Sequence, residues 1–314
     1  MDKLRIIFMG TPEFAVATLK ALVEDDQNIV GVITAPDKPA GRGRQLKQSA
    51  VKDYALKQNL NVLQPTNLKD PEFLKSLKDL NADLQIVVAF RMLPKQVWSM
   101  PRLGTFNLHA SLLPHYRGAA PINWAVINGE TKTGVTTFFI NEKIDTGGIL
   151  LQKELPISPT ITAGELHDQL MLIGSELVVQ TVKQIREGTY QIKDQPAPDL
   201  KPAPKLNKEN CKIDWHQSMN HIFDHIRGLS PYPAAYTFLH NDTDIIEVKI
   251  YKTAKIEAAH TLEFGKVITS KKEIKVAVKN GYINILELKL AGKRKMDAKS
   301  LLNGFAFSED AKMM

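Results

Sequence analysis

Short apolar runs alternate with amphipathic segments through the first half of this 314-residue chain. The runs 4–9, 29–34 and 84–89 have the composition of strands that are buried on both faces of a parallel sheet. Apolar residues at helical spacing over 13–24 and 71–80 predict helices between them. Strands that alternate with helices in this way predict a doubly wound α/β domain.

The turn after the first predicted strand reads Gly10-Thr11-Pro12-Glu13-Phe14. Neither G-x-G-x-x-G at this turn nor a Walker lysine motif elsewhere occurs in the sequence. Their absence argues against a nicotinamide or nucleoside-triphosphate site. Ligands of open α/β sheets still bind at the carboxyl ends of the strands, so we expect the site there.

The composition and hydrophobic pattern of the sequence change near residue 190. Thr162 and Glu165 form a capping box that predicts a long helix ending near Gly188, and the proline-spaced stretch 195–204 predicts an extended linker. A helix over 218–227 and short β-rich runs follow, at 235–239, 245–251, 266–269, 274–278 and 282–288. We therefore predict an α/β domain over 1–190, a linker over 191–207, and a small β-barrel of the oligonucleotide-binding type over 208–314.

Composition narrows the class of protein. The one cysteine, Cys211, excludes an intramolecular disulfide and fits a reducing compartment, and no cluster of metal ligands is visible. No apolar run is long enough for a signal peptide or a membrane span, so we expect a cytoplasmic protein with no membrane partner. The net charge is +7, and residues from Lys208 onward hold 17 Lys and Arg against 13 Asp and Glu. This excess is compatible with a polyanionic partner or with an ordinary lysine-rich surface.

Three polar residues suggest acyl-transfer chemistry. The stretch 106–110 alternates apolar and polar residues, so as a strand it would place Asn107 and His109 on one face. A carboxamide N–H and an imidazole are suitable donors for a tetrahedral oxyanion. Asp145 precedes Gly147 and Gly148, and a carboxylate there could hold the tautomer of the histidine, hold a water molecule or accept a proton from an amine.

Simpler interpretations exist for the same residues. An Asn-x-His pair is common on the solvated face of an edge strand, and Asp before glycine is a common turn or cap residue. The surrounding sequence favours a site. The strand is followed by a tight, largely apolar turn that could line one side of a site for a flat ligand, formed by Ser111, Leu112, Leu113 and Pro114. Small residues after Arg117 permit close approach of the next helix.

The combined pattern resembles the folate-dependent formyltransferases, and within that family those that act on methionyl initiator tRNA. The central motif is Asn107-x-His109-x-Ser111-Leu112-Leu113-Pro114-x-Tyr116-Arg117-Gly118, followed by Asp145-Thr146-Gly147. Further matches are spread over the chain, at 8–14, 36–43, 231–235 and 292–296.

The resemblance implies transfer of a formyl group from 10-formyltetrahydrofolate to the α-amine of methionyl initiator tRNA, with no metal. Asn107, His109 and Asp145 match the family's catalytic residues, and Ser111, Leu112, Leu113 and Pro114 match its folate-contacting turn. The loop 36–47 matches an insertion that meets the tRNA acceptor end, and its Lys38, Arg42 and Arg44 supply cations for phosphates. We expect a monomer.

Phe90-Arg91-Met92-Leu93-Pro94 departs from the family's usual Tyr-Gly and Ile-Leu-Pro residues near the expected pterin pocket. Two other functions stay open. One keeps the chemistry but uses a small acceptor, such as glycinamide ribonucleotide or an amino sugar. The other is an RNA-binding protein that retains the fold without catalysis. Whichever function holds, the loop 36–47 could be an ordinary surface excursion and not a tRNA contact.

Overall fold

The computed structural model describes residues 3–40, 45–196 and 200–314 in two compact units that are interleaved along the chain. The first unit comprises Met1–Gly118, Thr133–Leu155 and His167–Pro202, and the second comprises Ala119–Lys132, Pro156–Leu166 and Ala203–Met314. The predicted divisions 1–190, 191–207 and 208–314 follow composition alone and stay a prediction.

The elements before residue 190 confirm the predicted alternation of strands and helices. The strands are β1 Arg5–Gly10, β2 Asn28–Ile33, β3 Lys38–Ala40, β4 Gln45–Lys47, β5 Val62–Leu63, β6 Leu84–Val88, β7 Thr105–His109, β8 Arg117–Gly118, β9 Lys132–Phe139 and β10 Ile149–Pro156. The helices are α1 Glu13–Glu24, α2 Ala50–Lys57, α3 Pro71–Asp79, α4 Lys95–Trp98, α5 Pro121–Ile127 and α6 Ala163–Glu187.

Seven strands of the first unit form one sheet in the order β10-β9-β7-β6-β1-β2-β5. Pairing is parallel from β5 to β7, and β9 runs antiparallel to β7. The chain winds outward from β1 to β2 and β5, and then continues on the other side of β1 through β6 and β7. This reversal is the doubly wound arrangement, and it leaves a crevice at the carboxyl ends of β1 and β6.

Local signals in the sequence explain where helices begin. Asp70 accepts the amide N–H groups of Glu72 and Phe73, and Pro71 occupies the first turn of α3, where a missing N–H costs nothing. The capping box is confirmed at the start of α6. The hydroxyl oxygen of Thr162 accepts the N–H of Glu165 at 3.2 Å, and the carboxylate of Glu165 accepts the N–H of Thr162 at 2.8 Å.

The β-rich elements after residue 190 confirm the predicted barrel. The strands are β11 Pro202–Ala203, β12 Ala235–Asn241, β13 Asp244–Glu257, β14 Val267–Thr269, β15 Ile274–Val278, β16 Gly281–Leu290, β17 Met296–Asp297 and β18 Lys312–Met313, and the helices are α7 Met219–Leu229 and α8 Ala298–Leu302. The sheet runs β14-β15-β16-β13-β12-β18. Hydrogen bonds from Val267 to Ala311 and from Met313 to Gly265 join its first and last strands, so the barrel is nearly closed.

Helix α7 is longer than the sequence predicts, because Gly228 lies inside it and does not end it. A Cβ at this position would come within 2.6 Å of the Ile127 side chain and 2.9 Å of its backbone nitrogen. Glycine is therefore required here by the close packing of α7 on α5, which lies in the same compact unit, and not by a helix stop.

A partly buried histidine makes the stability of the second unit sensitive to pH. Burial, and to a smaller extent the nearby charge of His221, lower the pKa of His225 from its ordinary value of 6.5 to about 4. Below pH 6.5 the imidazole of His225 is protonated in the unfolded chain but stays neutral in the folded chain. The free energy of unfolding therefore falls as the pH falls towards 4. We expect the free energy of unfolding to drop by about 2 kcal/mol more in the wild type than in His225→Gln between roughly pH 7 and 5. Urea titrations at the two pH values measure this difference, and equal losses would contradict it.

Candidate functional site

Strand β7 carries two of the three polar residues and lies between β6 and β9. Asn107 pairs with Val87 on β6 and with Phe138 on β9, so its main chain is fixed on both sides. His109 is the last residue of the strand, at its carboxyl end. Because side chains alternate along a strand, the carboxamide and the imidazole point to the same face of the sheet.

The side chain of Asn107 is partly buried, and its carboxamide makes no hydrogen bond to any residue in the described parts of the chain. A buried or half-buried amide is normally paired with protein groups or with water. Here the main chain is held rigidly while the two N–H donors are left uncommitted. The arrangement therefore offers a prepositioned neutral donor to a ligand.

His109 is 6% exposed, and its Nε2 lies 2.8 Å from the carbonyl oxygen of Tyr116. A carbonyl only accepts, so Nε2 carries the proton and donates it to this bond. In the neutral ring Nδ1 then bears a lone pair. The edge of the ring also packs against Phe138, with ring centroids 6.5 Å apart. The tautomer of His109 is thus set by a backbone group.

Asp145 faces the other ring nitrogen of His109. One of its carboxylate oxygens lies 3.9 Å from Nδ1, which is too long for a hydrogen bond, and the same oxygen accepts the backbone N–H of Gly118 at 2.9 Å. The backbone of Asp145 is in the left-handed region, with φ at 52°. At Gly147 a Cβ would overlap the carbonyl oxygen of Phe139, so the turn after the carboxylate requires glycine.

The turn after β7 is held by side chains from neighbouring strands. Thr136 on β9 donates to the carbonyl of Ser111 at 2.6 Å and accepts the N–H of Leu113 at 3.2 Å. Gln152 on β10 donates to the carbonyl of Leu113 at 2.9 Å. Ser111 itself donates to the carbonyl of His115 at 2.7 Å, so its hydroxyl is used inside the turn.

The four residues of this turn differ in burial. Ser111 and Leu113 are buried, whereas Leu112 and Pro114 are partly exposed. Leu113 packs with Phe138 and Ile149. A ligand that approaches the turn would therefore meet backbone groups and the two partly exposed side chains.

Gln195 contributes to this region although it lies outside the motifs that the sequence singles out for chemistry. Gln195, which the sequence assigns to a linker, donates to the carbonyls of Asp145 at 3.0 Å and Gly147 at 2.7 Å. Its carbonyl oxygen accepts from the guanidinium of Arg117, at 2.6 and 3.1 Å. Periodicity and composition carry no signal for such a contact, because it joins positions 50 and 78 residues apart.

A cleft of about 680 Å³ lies beside the end of β6, lined by residues 66–69 and 91–96. Arg91, which replaces a small residue of the expected pattern, reaches across to the carbonyl oxygens of Pro65 and Thr66. Its guanidinium is therefore tied to the wall of the cleft by backbone acceptors.

The basic loop after β2 forms a hairpin. Lys38 on β3 is exposed and pairs through its backbone with Lys47 on β4, while Arg42 and Arg44 lie outside the described residues. At the base of the hairpin, hydrogen bonds from Gln64 and Lys52 lower the pKa of Asp37. The residue immediately before β3 is thus held in place by Lys52 and Gln64.

Two kinds of feature are absent from the described ranges (3–40, 45–196 and 200–314). No group of three or more His, Cys, Asp and Glu side chains there is placed to hold a metal ion. Of the helices in the same ranges, none has the length and apolar character that crossing a membrane requires.

Family models match most of the chain. A formyl transferase model matches residues 3–182, and a model of the formyl transferase C-terminal domain matches residues 205–306. The chain is 61% identical to a methionyl-tRNA formyltransferase of Flavobacterium johnsoniae over 100% of both chains. It is 58% identical to the methionyl-tRNA formyltransferase of Flavobacterium psychrophilum over 99% of both chains.

Solved structures share the fold at lower identity. An N-formyltransferase from Helicobacter canadensis, solved with folinic acid and dTDP-3-aminofucose, superposes with a TM-score of 0.67. It is 20% identical and covers 93% of this chain and 100% of its own. At this identity the likeness establishes the fold and nothing further about the ligands.

Proposed function

This chain belongs to the formyl transferase family, and on that basis we propose that it transfers the formyl group of 10-formyltetrahydrofolate to the α-amine of methionyl initiator tRNA. The acceptor is inferred from relatives at 61% and 58% identity that match from end to end and bear that name. The observation that carries the chemistry is the uncommitted carboxamide of Asn107 beside the oriented ring of His109.

The proposed reaction is a direct transfer with no covalent enzyme intermediate. The α-amine of an acylated residue such as the methionyl group has a reference pKa of about 8, so a substantial fraction is neutral near neutral pH. Its nitrogen attacks the formyl carbon on N10 of the folate and forms a tetrahedral oxyanion. The bond from that carbon to N10 then breaks, and the proton lost by the amine ends on N10. The products are the formylated amine and tetrahydrofolate.

The oxyanion needs donors that are already in place, because donors that do not have to reorganise stabilise the developing charge most strongly. The carboxamide of Asn107 supplies one. His109 supplies a second only through Nδ1, because its Nε2–H is committed to the carbonyl of Tyr116. We infer that His109 donates as the imidazolium, with protons on both nitrogens.

Asp145 supports that charged state. Its carboxylate lies 3.9 Å from Nδ1, where it stabilises an imidazolium by ion pairing without a direct hydrogen bond. In the proposed reaction the same carboxylate takes up the proton lost by the attacking nitrogen and passes it to the leaving nitrogen. Asp145 therefore acts in this proposal as the carboxylate partner of His109 and as the proton relay.

The folate and tRNA contacts follow the same proposal. The turn 111–114 would present its backbone groups and Leu112 and Pro114 to the folate, since the hydroxyl of Ser111 is used inside the turn. The exposed Lys38 on the hairpin, together with Arg42 and Arg44, would contact tRNA phosphates. All described site residues come from one compact unit of one chain, so we infer a monomer, acting in the cytoplasm where its tRNA substrate occurs.

The direct test is incubation with 10-formyltetrahydrofolate and methionyl initiator tRNA, with N-formylmethionine measured after deacylation. Parallel reactions offer glycinamide ribonucleotide and an amino-sugar nucleotide as acceptors. Formylation of the tRNA alone supports the proposal. Formylation of a small amine in preference to the tRNA would replace the acceptor, and no transfer to any of them would leave only an RNA-binding function.

Salt dependence separates the two kinds of acceptor in the same assay. A protein that neutralises tRNA phosphates releases bound counterions, so its affinity falls steeply as salt rises. If three phosphates are contacted, KM for the tRNA is expected to rise roughly twentyfold between about 50 and 200 mM KCl. KM for the folate, measured in the same titration, serves as the control and should change little. A KM for the tRNA that does not respond to salt would contradict phosphate recognition.

A further inference from the structure

The side chain of Gln195 joins two loops that carry the groups of the proposed reaction. Its amide nitrogen donates to the carbonyls of Asp145 and Gly147, at 3.0 and 2.7 Å. Its amide oxygen accepts two hydrogen bonds from the guanidinium of Arg117, at 2.6 and 3.1 Å. The amide nitrogen thus makes two hydrogen bonds and the amide oxygen accepts two. All of the partners lie in the first compact unit.

These contacts complete a ring of hydrogen bonds around His109 and Asp145. The segment 116–118 provides the carbonyl that orients His109 and the N–H that binds the carboxylate of Asp145. Arg117, in the middle of that segment, binds Gln195, which in turn binds the main chain of Asp145. If Gln195 were removed, Asp145 would keep its bond to Gly118 but lose the side-chain tie on its own backbone.

The backbone conformation of Asp145 is one that hydrogen bonds from a neighbouring side chain help to stabilise. Its φ of 52° lies in the left-handed region, which residues other than glycine adopt at some cost, although Asp and Asn tolerate it better than most. The two hydrogen bonds from Gln195 hold the carbonyl groups of the two residues that flank Thr146, Asp145 and Gly147. They hold the turn in the conformation that directs the carboxylate at His109.

We infer that Gln195 is a positioning residue that acts on formyl transfer through Asp145, an inference that rests on the proposed function. The side-chain hydrogen bonds of Gln195 go to two main-chain carbonyls and one guanidinium, and none goes to His109 or Asn107. Its effect on the rate is therefore expected to be indirect. A displacement of a reacting group by about 1 Å can lower a rate on the order of 100-fold.

The first variant to test is Gln195→Met, which keeps the length of the side chain and removes its hydrogen bonds. We expect kcat for formyl transfer to fall on the order of 10- to 100-fold, with KM for both substrates within about twofold of wild type. The matched control is Gln191→Met, an exposed glutamine four positions earlier, which should leave kcat unchanged. Circular-dichroism melting of both variants verifies that they are folded.

A double-mutant cycle distinguishes positioning of Asp145 from a general structural role. In an Asp145→Asn background the relay is already lost, so Gln195→Met should lower kcat no further. If the two losses instead multiply, Gln195 acts independently of Asp145 and the inference is wrong. Because the wild-type enzyme is assayed first, absence of formyl transfer would be recognised as failure of the proposed function, and not of this inference.

Gln195→Glu is a second variant that keeps the acceptor for Arg117 and loses both donors. It should lower kcat as far as Gln195→Met or further, because a carboxylate would face two carbonyl oxygens. It also provides the test if the methionine variant melts early. A Gln195→Glu enzyme with the wild-type kcat would show that donation to the Asp145 turn is dispensable, and would overturn the inference.

Discussion

Replacing Asn107 with alanine is expected to lower kcat by about 10²–10³-fold, because this is the typical cost of losing one donor to a tetrahedral oxyanion. The main chain at this position is hydrogen-bonded to both neighbouring strands, so the loss of the carboxamide should not move the strand. KM should stay close to its wild-type value, since the donor acts mainly in the transition state. Steady-state kinetics with 10-formyltetrahydrofolate and methionyl initiator tRNA measure both quantities.

Asn61→Ala is the matched control for this variant, because Asn61 is exposed and lies away from the β7 strand. Its kcat should equal that of the wild type. A second substitution, Asn107→Asp, preserves the shape but directs a negative charge at the oxyanion, and should be at least as inactive as the alanine variant. If Asn107→Ala retained kcat within a few-fold of wild type while folded, the carboxamide would not be the oxyanion donor.

Asp145→Asn is expected to lower kcat by about 10²–10⁴-fold, the usual range for loss of a general acid–base group. An asparagine at this position can still accept the N–H of Gly118 through its carbonyl oxygen, so the turn should hold. The substitution removes the charge that lies 3.9 Å from His109, and with it the support for an imidazolium and the acceptor for the moving proton. Single-turnover measurements would place the loss in the chemical step.

The control for charge alone is Asp194→Asn, at an exposed position of the same compact unit. Both asparagine variants should melt close to the wild-type temperature, and only Asp145→Asn should lose activity. A kcat near that of the wild type in Asp145→Asn would assign the proton transfer to the solvent or to the substrates themselves.

Much of the fold could be predicted because the responsible forces are local. Helix α1 and strand β15 have the predicted bounds, 13–24 and 274–278. The capping box at Thr162 and Glu165 forms the predicted hydrogen bonds. In each case the hydrophobic period or the capping residue specifies the element without help from distant parts of the chain.

The features that the sequence did not predict depend on contacts between distant residues. The end of α7 was wrong by two residues, because a glycine that looks like a stop is needed for packing against Ile127. Partners of the candidate site were missed for a similar reason. The bond from His109 goes to a backbone carbonyl, and Gln195 lies in a proline-rich segment that the sequence predicts to be an extended linker.

Tyr116, Arg117 and Gly118 have a consequence for how this protein can vary. The carbonyl of Tyr116 fixes the imidazole, and the N–H of Gly118 fixes the carboxylate. Since consecutive residues share one backbone, a shift of this short segment changes the orientation of both groups together. A substitution in this segment therefore cannot reorient the imidazole of His109 without also moving the carboxylate of Asp145, and a tolerated one must come with compensating changes elsewhere in the ring.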